Sequence, residues 1–128
     1  MKFKGTTLLA GLALCFALAT FSSATEKGFM WDGTQWKALD YGLKVAYVKG
    51  VGNMADFEAQ SGAGGLAGCI SKALVAELQT KSLGQVVQEV DKFYQDNPGK
   101  MNSPVLEVIL RASTKLCSPA ATAAPPKK

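Results

Sequence analysis

The sequence predicts an all-α protein, a small four-helix bundle stapled by one disulfide bond, in a mature chain that follows a cleaved signal peptide. Apolar residues recur at spacings of three and four in several segments, as on the buried face of a helix. No segment alternates apolar and polar residues between turn dipeptides, as a half-buried strand would. Two cysteines remain once the leader is removed. With 128 residues, 48% of them apolar and 19% charged, the chain has room for one globular domain.

The N-terminus has the layout of a secretory signal peptide. Lys2 and Lys4 give a positive start, an uncharged and mostly apolar run follows at 8–21, and small residues lead to a cleavage position after Ala24. The run has 14 residues, too few to span a bilayer comfortably. Cys15 lies inside the run and follows a leucine, which argues against a lipoprotein. We therefore expect a periplasmic or secreted protein with no stable membrane anchor after cleavage.

The mature chain is close to neutral, which argues against nucleic acid as a partner. Without the leader, 104 residues remain, with 12 basic and 10 acidic side chains and a net charge of +2. A nucleic-acid-binding domain would cluster lysine and arginine on one face, and Arg111 is the single arginine in the sequence. The expected organisation is a signal peptide at 1–24, a helical domain at 25–118 and a disordered Ala/Pro-rich tail at 119–128.

Cys69 and Cys117 are the pair that remains after export, and an even pair in an oxidising compartment predicts a disulfide bond. Two free thiols are the alternative interpretation, and the sequence favours metal binding even less, because two cysteines without histidine make a poor metal site. In the chain-entropy model a bridge closing this loop stabilises the fold by roughly 4 kcal/mol.

The first predicted helix covers 33–57, and Asp32 with Gln35 forms an Asp variant of the capping box at its start. Glycines at 50 and 52 indicate close helix packing or a break near this point. One apolar stripe, called the first stripe, follows helical spacing and is predicted to form the main core face: Trp36, Leu39, Leu43, Tyr47, Gly50, Met54 and Phe57.

A Gly/Ala-rich segment at 58–68 predicts a loop, and a second helix is predicted at 69–79 with Ser71 as its cap. A capping box from Ser82 to Gln85 opens the third helix, which ends at the Asn-Pro-Gly turn at 97–99.

The fourth predicted helix has a broad apolar face over 105–116. Ser103 is the predicted cap and Pro104 the predicted first helical residue. This helix ends at Cys117, so the predicted bridge joins it to the start of the second helix.

A second apolar stripe on the first helix lies roughly opposite the first stripe: Tyr41, Val45, Val48, Gly52 and Ala55. A helix that is apolar on two sides is either central in the bundle or presents one side to a partner. The core alternative is favoured by the general tendency of apolar stripes to be buried. The functional alternative is a partner-binding patch of Tyr41, Lys44, Val45 and Val48, with Tyr41 as its aromatic anchor.

The composition excludes several kinds of chemistry. The sequence contains no histidine, which removes Ser-His-Asp and Cys-His nucleophiles, histidine-ligated zinc and an axial histidine on haem. Its carboxylates show no recognisable catalytic pairing, and the glycines at 62–68 precede no phosphate-loop lysine. We predict no catalytic, cofactor or metal site.

The stretch from Ser82 to Asp96, with its Gly-Gln start and Asp-Lys-Phe-Tyr sequence, and the Val-rich segment at 105–108 resemble a group of small exported helical bacterial proteins. The pattern is similar to the Rap/Tai immunity family, periplasmic helical proteins that neutralise peptidoglycan-amidase effectors. The similarity extends from the first helix to Cys117, and its specific part is confined to 82–96. Two features depart from the family pattern, because Cys69 lies 13 positions before Ser82 and Asn-Pro replaces the usual His-Pro turn.

The resemblance and the second stripe together predict a non-enzymatic, periplasmic protein-binding module, such as an immunity or inhibitor protein against a cell-wall amidase. The alternative is a periplasmic stress or structural protein, chaperone-like and without a dedicated partner. The predicted partner is a protein, with a homodimer as a further option.

Overall fold

A computed structural model describes residues 28–119. The predicted signal peptide at 1–24 and all of the predicted tail except Pro119 lie outside the described residues. The predicted all-α class is confirmed, because regular structure over 28–119 is helical, apart from one isolated bridge between Asp32 and Pro104. The helices are α1 (Gly33–Ala38), α2 (Tyr41–Gln60), α3 (Gly65–Thr80), α4 (Leu83–Asp96), a 3₁₀ turn (Pro98–Lys100), α5 (Val105–Ile109) and α6 (Arg111–Leu116).

The first predicted helix is two helices, and the break falls at Leu39 and Asp40 rather than at the glycines. Asp40 caps α2, because its carboxylate accepts a hydrogen bond from the backbone N–H of Leu43 at 2.9 Å. The helix runs unbroken through Gly52, where a Cβ would lie 2.7 Å from Leu78 Cδ1 of α3. The glycine therefore serves close packing of α2 against α3.

The predicted loop at 58–68 is wrong at both ends, since α2 continues to Gln60 and α3 starts at Gly65. A Cβ at Gly68 would lie 1.9 Å from the carbonyl oxygen of Ala63, so only glycine lets the short connection fold back onto α3. The Gly/Ala-rich composition here reflects tight backbone contact within and beside a helix. The second predicted helix is confirmed but is longer than expected.

Both predicted capping boxes are present. The side chains of Asp32 and Ser82 each accept a hydrogen bond from the backbone of their helix, and the backbone N–H of each cap residue donates to Oε1 of Gln35 or Gln85. The expected cap at Ser103 is wrong, because α5 begins after Pro104 without a side-chain cap.

The fourth predicted helix is divided by a turn at Leu110 into α5 and α6. The carbonyl of Ser103 instead accepts a hydrogen bond from the Tyr94 hydroxyl at 2.7 Å, which ties α4 to the start of α5.

The core lies between α1, α2, α3, α4 and α5. Each fully buried aliphatic or aromatic side chain contributes about 1.5–3 kcal/mol relative to exposure. The buried apolar cluster consists of Trp36, Val48, Ala55, Leu74, Val86, Val87, Val90, Tyr94, Val105 and Ile109.

The predicted Cys69–Cys117 bond is confirmed, with an S–S distance of 1.99 Å and a Cα–Cα distance of 5.9 Å. It fastens the end of α6 to the first turns of α3. Within 28–119 no helix combines the length and apolar character needed to cross a membrane.

Candidate partner-binding groove

The second stripe of α2 belongs to the core, which corrects part of the predicted partner patch. Val48 is 0% exposed and Val45 packs against the buried cluster. Val48 is therefore not available to a partner, and Val45 is partly buried; α2 packs against both α3 and α4. The core alternative considered for this stripe therefore holds at both residues.

Lys44 is engaged inside the fold rather than presented to a partner. Its ammonium lies 2.8 Å from Asp91 Oδ1 and 5.4 Å from the ring centroid of Trp36. The indole N–H of Trp36 donates to the same carboxylate oxygen at 2.8 Å. This three-residue cluster joins α1, α2 and α4 and gives Lys44 a structural contact, while its predicted binding role stays a prediction.

Tyr41 is the exposed member of the predicted patch, with 62% of its surface accessible. It lies in the first turn of α2, where its hydroxyl is beside α4; a Cβ added at Gly84 would be 2.6 Å from that oxygen. A role for Tyr41 as an anchor stays a prediction. Its neighbours on this stripe are less exposed, since Val45 is partly buried and Val48 is buried.

The exposed apolar surface of α2 comes instead from the first stripe, which was expected to be the main core face. Trp36 of this stripe is buried, but Met54 is 55% exposed and Phe57 is 65% exposed. Near them, Phe29 of the N-terminal segment is fully exposed. A cluster of large exposed apolar side chains on a small domain is typical of an interaction site.

Met54 and Phe29, but not Phe57, border a groove of about 640 Å³ between α2 and α3, which we call the α2–α3 groove. Side chains from α5 and from the segment before α1 complete its walls. The lining residues are mostly apolar: Phe29, Met30, Tyr47, Gly50, Val51, Met54, Ala55, Glu58, Ala67, Ile70, Ser71, Leu74, Leu106 and Leu110.

An aromatic cluster supports one wall of the groove. The ring of Tyr47 stacks on Trp31 with centroids 5.4 Å apart and meets Trp36 edge-on at 5.9 Å. Burial raises the pKa of the Tyr47 phenol above its usual value. The packing holds Tyr47 in place, so this wall is formed before any partner arrives.

Glu58 and Ser71 provide the polar contact in the groove. The hydroxyl of Ser71, which is buried in α3, donates a hydrogen bond to Oε2 of Glu58 on α2. Within the described part of the chain, no hydrogen bond or ion pair is recorded to Oε1 of Glu58. Ser71 was expected to cap a helix, and Glu58 to lie in a loop; their pairing across 13 residues has no local sequence signature.

A smaller cleft of about 340 Å³ lies between α3, α4 and α6, and its charged rim is largely satisfied internally. Lys81 pairs with Glu77 at 2.8 Å and with Glu89 at 2.9 Å. Hydrogen bonds to Glu77, the larger effect, and to Glu89 raise the pKa of Lys81. Across the cleft, Arg111 lies 4.3 Å over the ring of Phe93. In residues 28–119, no cluster of three or more cysteine, aspartate or glutamate side chains is arranged to hold a metal ion.

The described residues form a small disulfide-linked helical protein with a mostly apolar groove between α2 and α3. No family model, curated protein or solved structure matches the chain. The resemblance to the Rap/Tai immunity family therefore stays an expectation from the residues at 82–96.

Proposed function

We propose that this protein is an exported, non-enzymatic binding module that docks a partner protein in the α2–α3 groove. The supporting observation is the groove itself, about 640 Å³ of mostly apolar space with Met54 and Phe29 exposed along it. Covering apolar surface gains roughly 25 cal/mol per Å². The groove is therefore the part of the described surface where a partner gains most from contact.

The finer proposal is an immunity or inhibitor role in the periplasm against a cell-wall amidase, and it rests on the resemblance at 82–96. In this role the protein forms a stoichiometric complex and blocks its target without chemistry of its own. Purified protein should then inhibit peptidoglycan cleavage by an amidase encoded beside its gene. Full amidase activity at a saturating excess of the protein would contradict this role and leave the general binding function in place.

A chaperone-like role is the second candidate, favoured by exposed apolar side chains outside the groove. Tyr41, Leu43 and Leu116 are each more than half exposed and do not line the groove. A protein without a dedicated partner would use such scattered residues as well as the groove, and would suppress aggregation of unrelated unfolded clients.

The test separates these roles by charge substitution at matched positions of α2. Met54→Asp places a carboxylate in the groove, and Leu43→Asp places one on an equally exposed part of the same helix outside it, at 55% and 54% exposure. A partner recovered by crosslinking in exported extract is purified, and its complex is reconstituted from the two pure proteins. We expect Met54→Asp to weaken that complex by at least about tenfold and Leu43→Asp to leave it unchanged.

Circular dichroism and thermal unfolding establish that both variants fold. Equal weakening by both substitutions, together with protection of unrelated clients, would contradict groove docking and support the chaperone-like role. Self-association of the pure protein that Met54→Asp abolishes would show that a second copy fills the groove, contrary to the proposal.

A further inference from the structure

We infer that the occupant of the α2–α3 groove is an amphipathic helix of the partner whose apolar face carries one basic side chain, lysine or arginine, paired with Glu58. This inference rests on the proposed docking function and specifies the partner's chemistry. It follows from the backbone that forms the groove and from the single charge in its lining.

The walls favour a helix over an extended peptide. Val51 and Met54 lie inside α2, and Ile70 and Leu74 lie inside α3, so the backbone groups of these walls are committed to helical hydrogen bonds. An extended segment covered by such walls would lose water from its own N–H and C=O groups without gaining partners. A helix satisfies its backbone internally and needs only an apolar face, which is the helix-in-groove mode of recognition.

The charge requirement comes from Glu58, the one ionisable acid or base other than Tyr47 among the lining residues. Its Oε2 accepts from Ser71, while its Oε1 is available for a further hydrogen bond. A docked helix removes water from this carboxylate, and that desolvation is unfavourable unless an opposite charge replaces the water. A basic side chain in the partner's apolar face makes this replacement.

Among residues 28–119, no ion pair joins a lysine or arginine to Glu58. The described ion pairs of lysine are with Asp91, Glu77, Glu89 and Asp96, all on other parts of the fold. Within the described residues, Glu58 therefore has a hydroxyl donor at Oε2 and no cationic side chain paired with it.

The experiment uses two synthetic probe helices and three forms of the full mature protein. The probes are capped amphipathic Leu/Ala/Gln peptides of about 16 residues, long enough to form a helix on binding. They are identical except for lysine or norleucine at the centre of the apolar face. The proteins are wild type, Glu58→Gln and the control Asp56→Asn. Asp56 is two residues from Glu58, bonds to Gln60 and does not line the groove.

Affinities are measured by fluorescence anisotropy at low and high salt. We expect wild type to prefer the lysine probe by about tenfold, with the preference reduced by salt. Glu58→Gln keeps an acceptor for Ser71 but removes the charge, so it should abolish the preference and bind the norleucine probe more tightly than wild type does. Asp56→Asn should retain the wild-type preference.

The possible failures are distinguishable. If wild type and Glu58→Gln both fail to bind either probe, helix docking in the groove, and with it the proposed function, is contradicted. A second failure is that the probes compete for one site but wild type prefers the norleucine probe, or that Glu58→Gln keeps the preference for lysine. Either result would contradict the inferred pairing of a basic side chain with Glu58 and would leave groove docking in place.

Discussion

Substitutions at Asp91 should separate the contributions of a buried hydrogen bond and of an ion pair to the stability of this fold. Its Oδ1 accepts the indole N–H of Trp36 and pairs with the Lys44 ammonium, each at 2.8 Å. Trp36 is fully buried with Asp91 in place, and Asp91 Oδ1 is the acceptor of its indole N–H. Asp91→Ala therefore leaves a buried donor unpaired, whereas Asp91→Asn keeps an oxygen acceptor and removes only the charge.

The magnitudes differ enough to measure. An unpaired buried donor costs about 1–3 kcal/mol. The ion pair adds about 1 kcal/mol or less, because the Asp91 side chain is 44% exposed and solvent screens it. We expect Asp91→Ala to lower the free energy of unfolding by about 1–4 kcal/mol, and Asp91→Asn to lower it by about 1 kcal/mol or less.

The assay is urea unfolding of the oxidised protein, followed by far-UV circular dichroism and extrapolated linearly to water. Lys44→Met in both backgrounds completes a double-mutant cycle that isolates the ion pair. If the alanine and asparagine variants lose the same stability, the hydrogen bond to Trp36 is not what Asp91 contributes, and the reasoning fails.

Three further outcomes follow from the structure. Burial, the larger effect, and the charge of Asp32 raise the pKa of Tyr94 from 10.0 to about 12. The folded state therefore holds the phenol proton more tightly than the unfolded state does. The stabilisation from the protonated Tyr94 phenol is fully present below pH 10, and the free energy of unfolding falls by roughly 3 kcal/mol as the pH rises to about 12. The urea midpoint should therefore decline less steeply over this pH range in Tyr94→Phe than in wild type. An equally steep decline in both proteins would show that another group causes it. Gly50→Ala should stabilise α2 by about 1 kcal/mol, because no atom lies within 4 Å of the added Cβ. Gly68→Ala should lower the free energy of unfolding by at least about 2 kcal/mol, because its Cβ would lie 1.9 Å from the carbonyl oxygen of Ala63. Thermal unfolding that shifts both variants in the same direction would contradict this. Replacing Cys69 and Cys117 together by serine should lower stability by about 4 kcal/mol, measured by urea unfolding, and a loss below about 1 kcal/mol would show that the bridge does not constrain the unfolded chain as assumed.

Local features of this fold could be predicted from the sequence because their causes are local. The capping boxes at Asp32 and Ser82 need only residues three positions apart. The Cys69–Cys117 bridge followed from counting the cysteines that remain if the expected signal peptide is removed. Asp40 was harder, since its spacing to nearby lysines also fits an ion pair. The structure uses it as the cap of α2, and Lys44 pairs with Asp91 from α4 instead.

The exposed face of α2 could not be predicted, because both of its stripes have helical spacing and apolar residues. Which stripe is covered depends on the position of α3, and α3 packs against the second stripe, where Gly52 leaves space for Leu78. That contact buries Val48 and leaves Met54 on the groove side. The Glu58–Ser71 pair arises from the same helix–helix contact, so no local pattern could have indicated it.

The restraints on α3 and its proposed binding surface occupy different faces of the same helix. Gly68 and Cys69 hold its first turns against the α2–α3 connection and α6, while Ile70 and Leu74 face the groove. A groove wall fixed in this way loses little conformational entropy on binding, so more of the apolar contact energy appears as affinity. Reduction of the disulfide should therefore weaken partner binding even at temperatures where the reduced protein is still folded. Under the proposed function, the bridge acts on binding by restraining the first turns of α3 beside the groove.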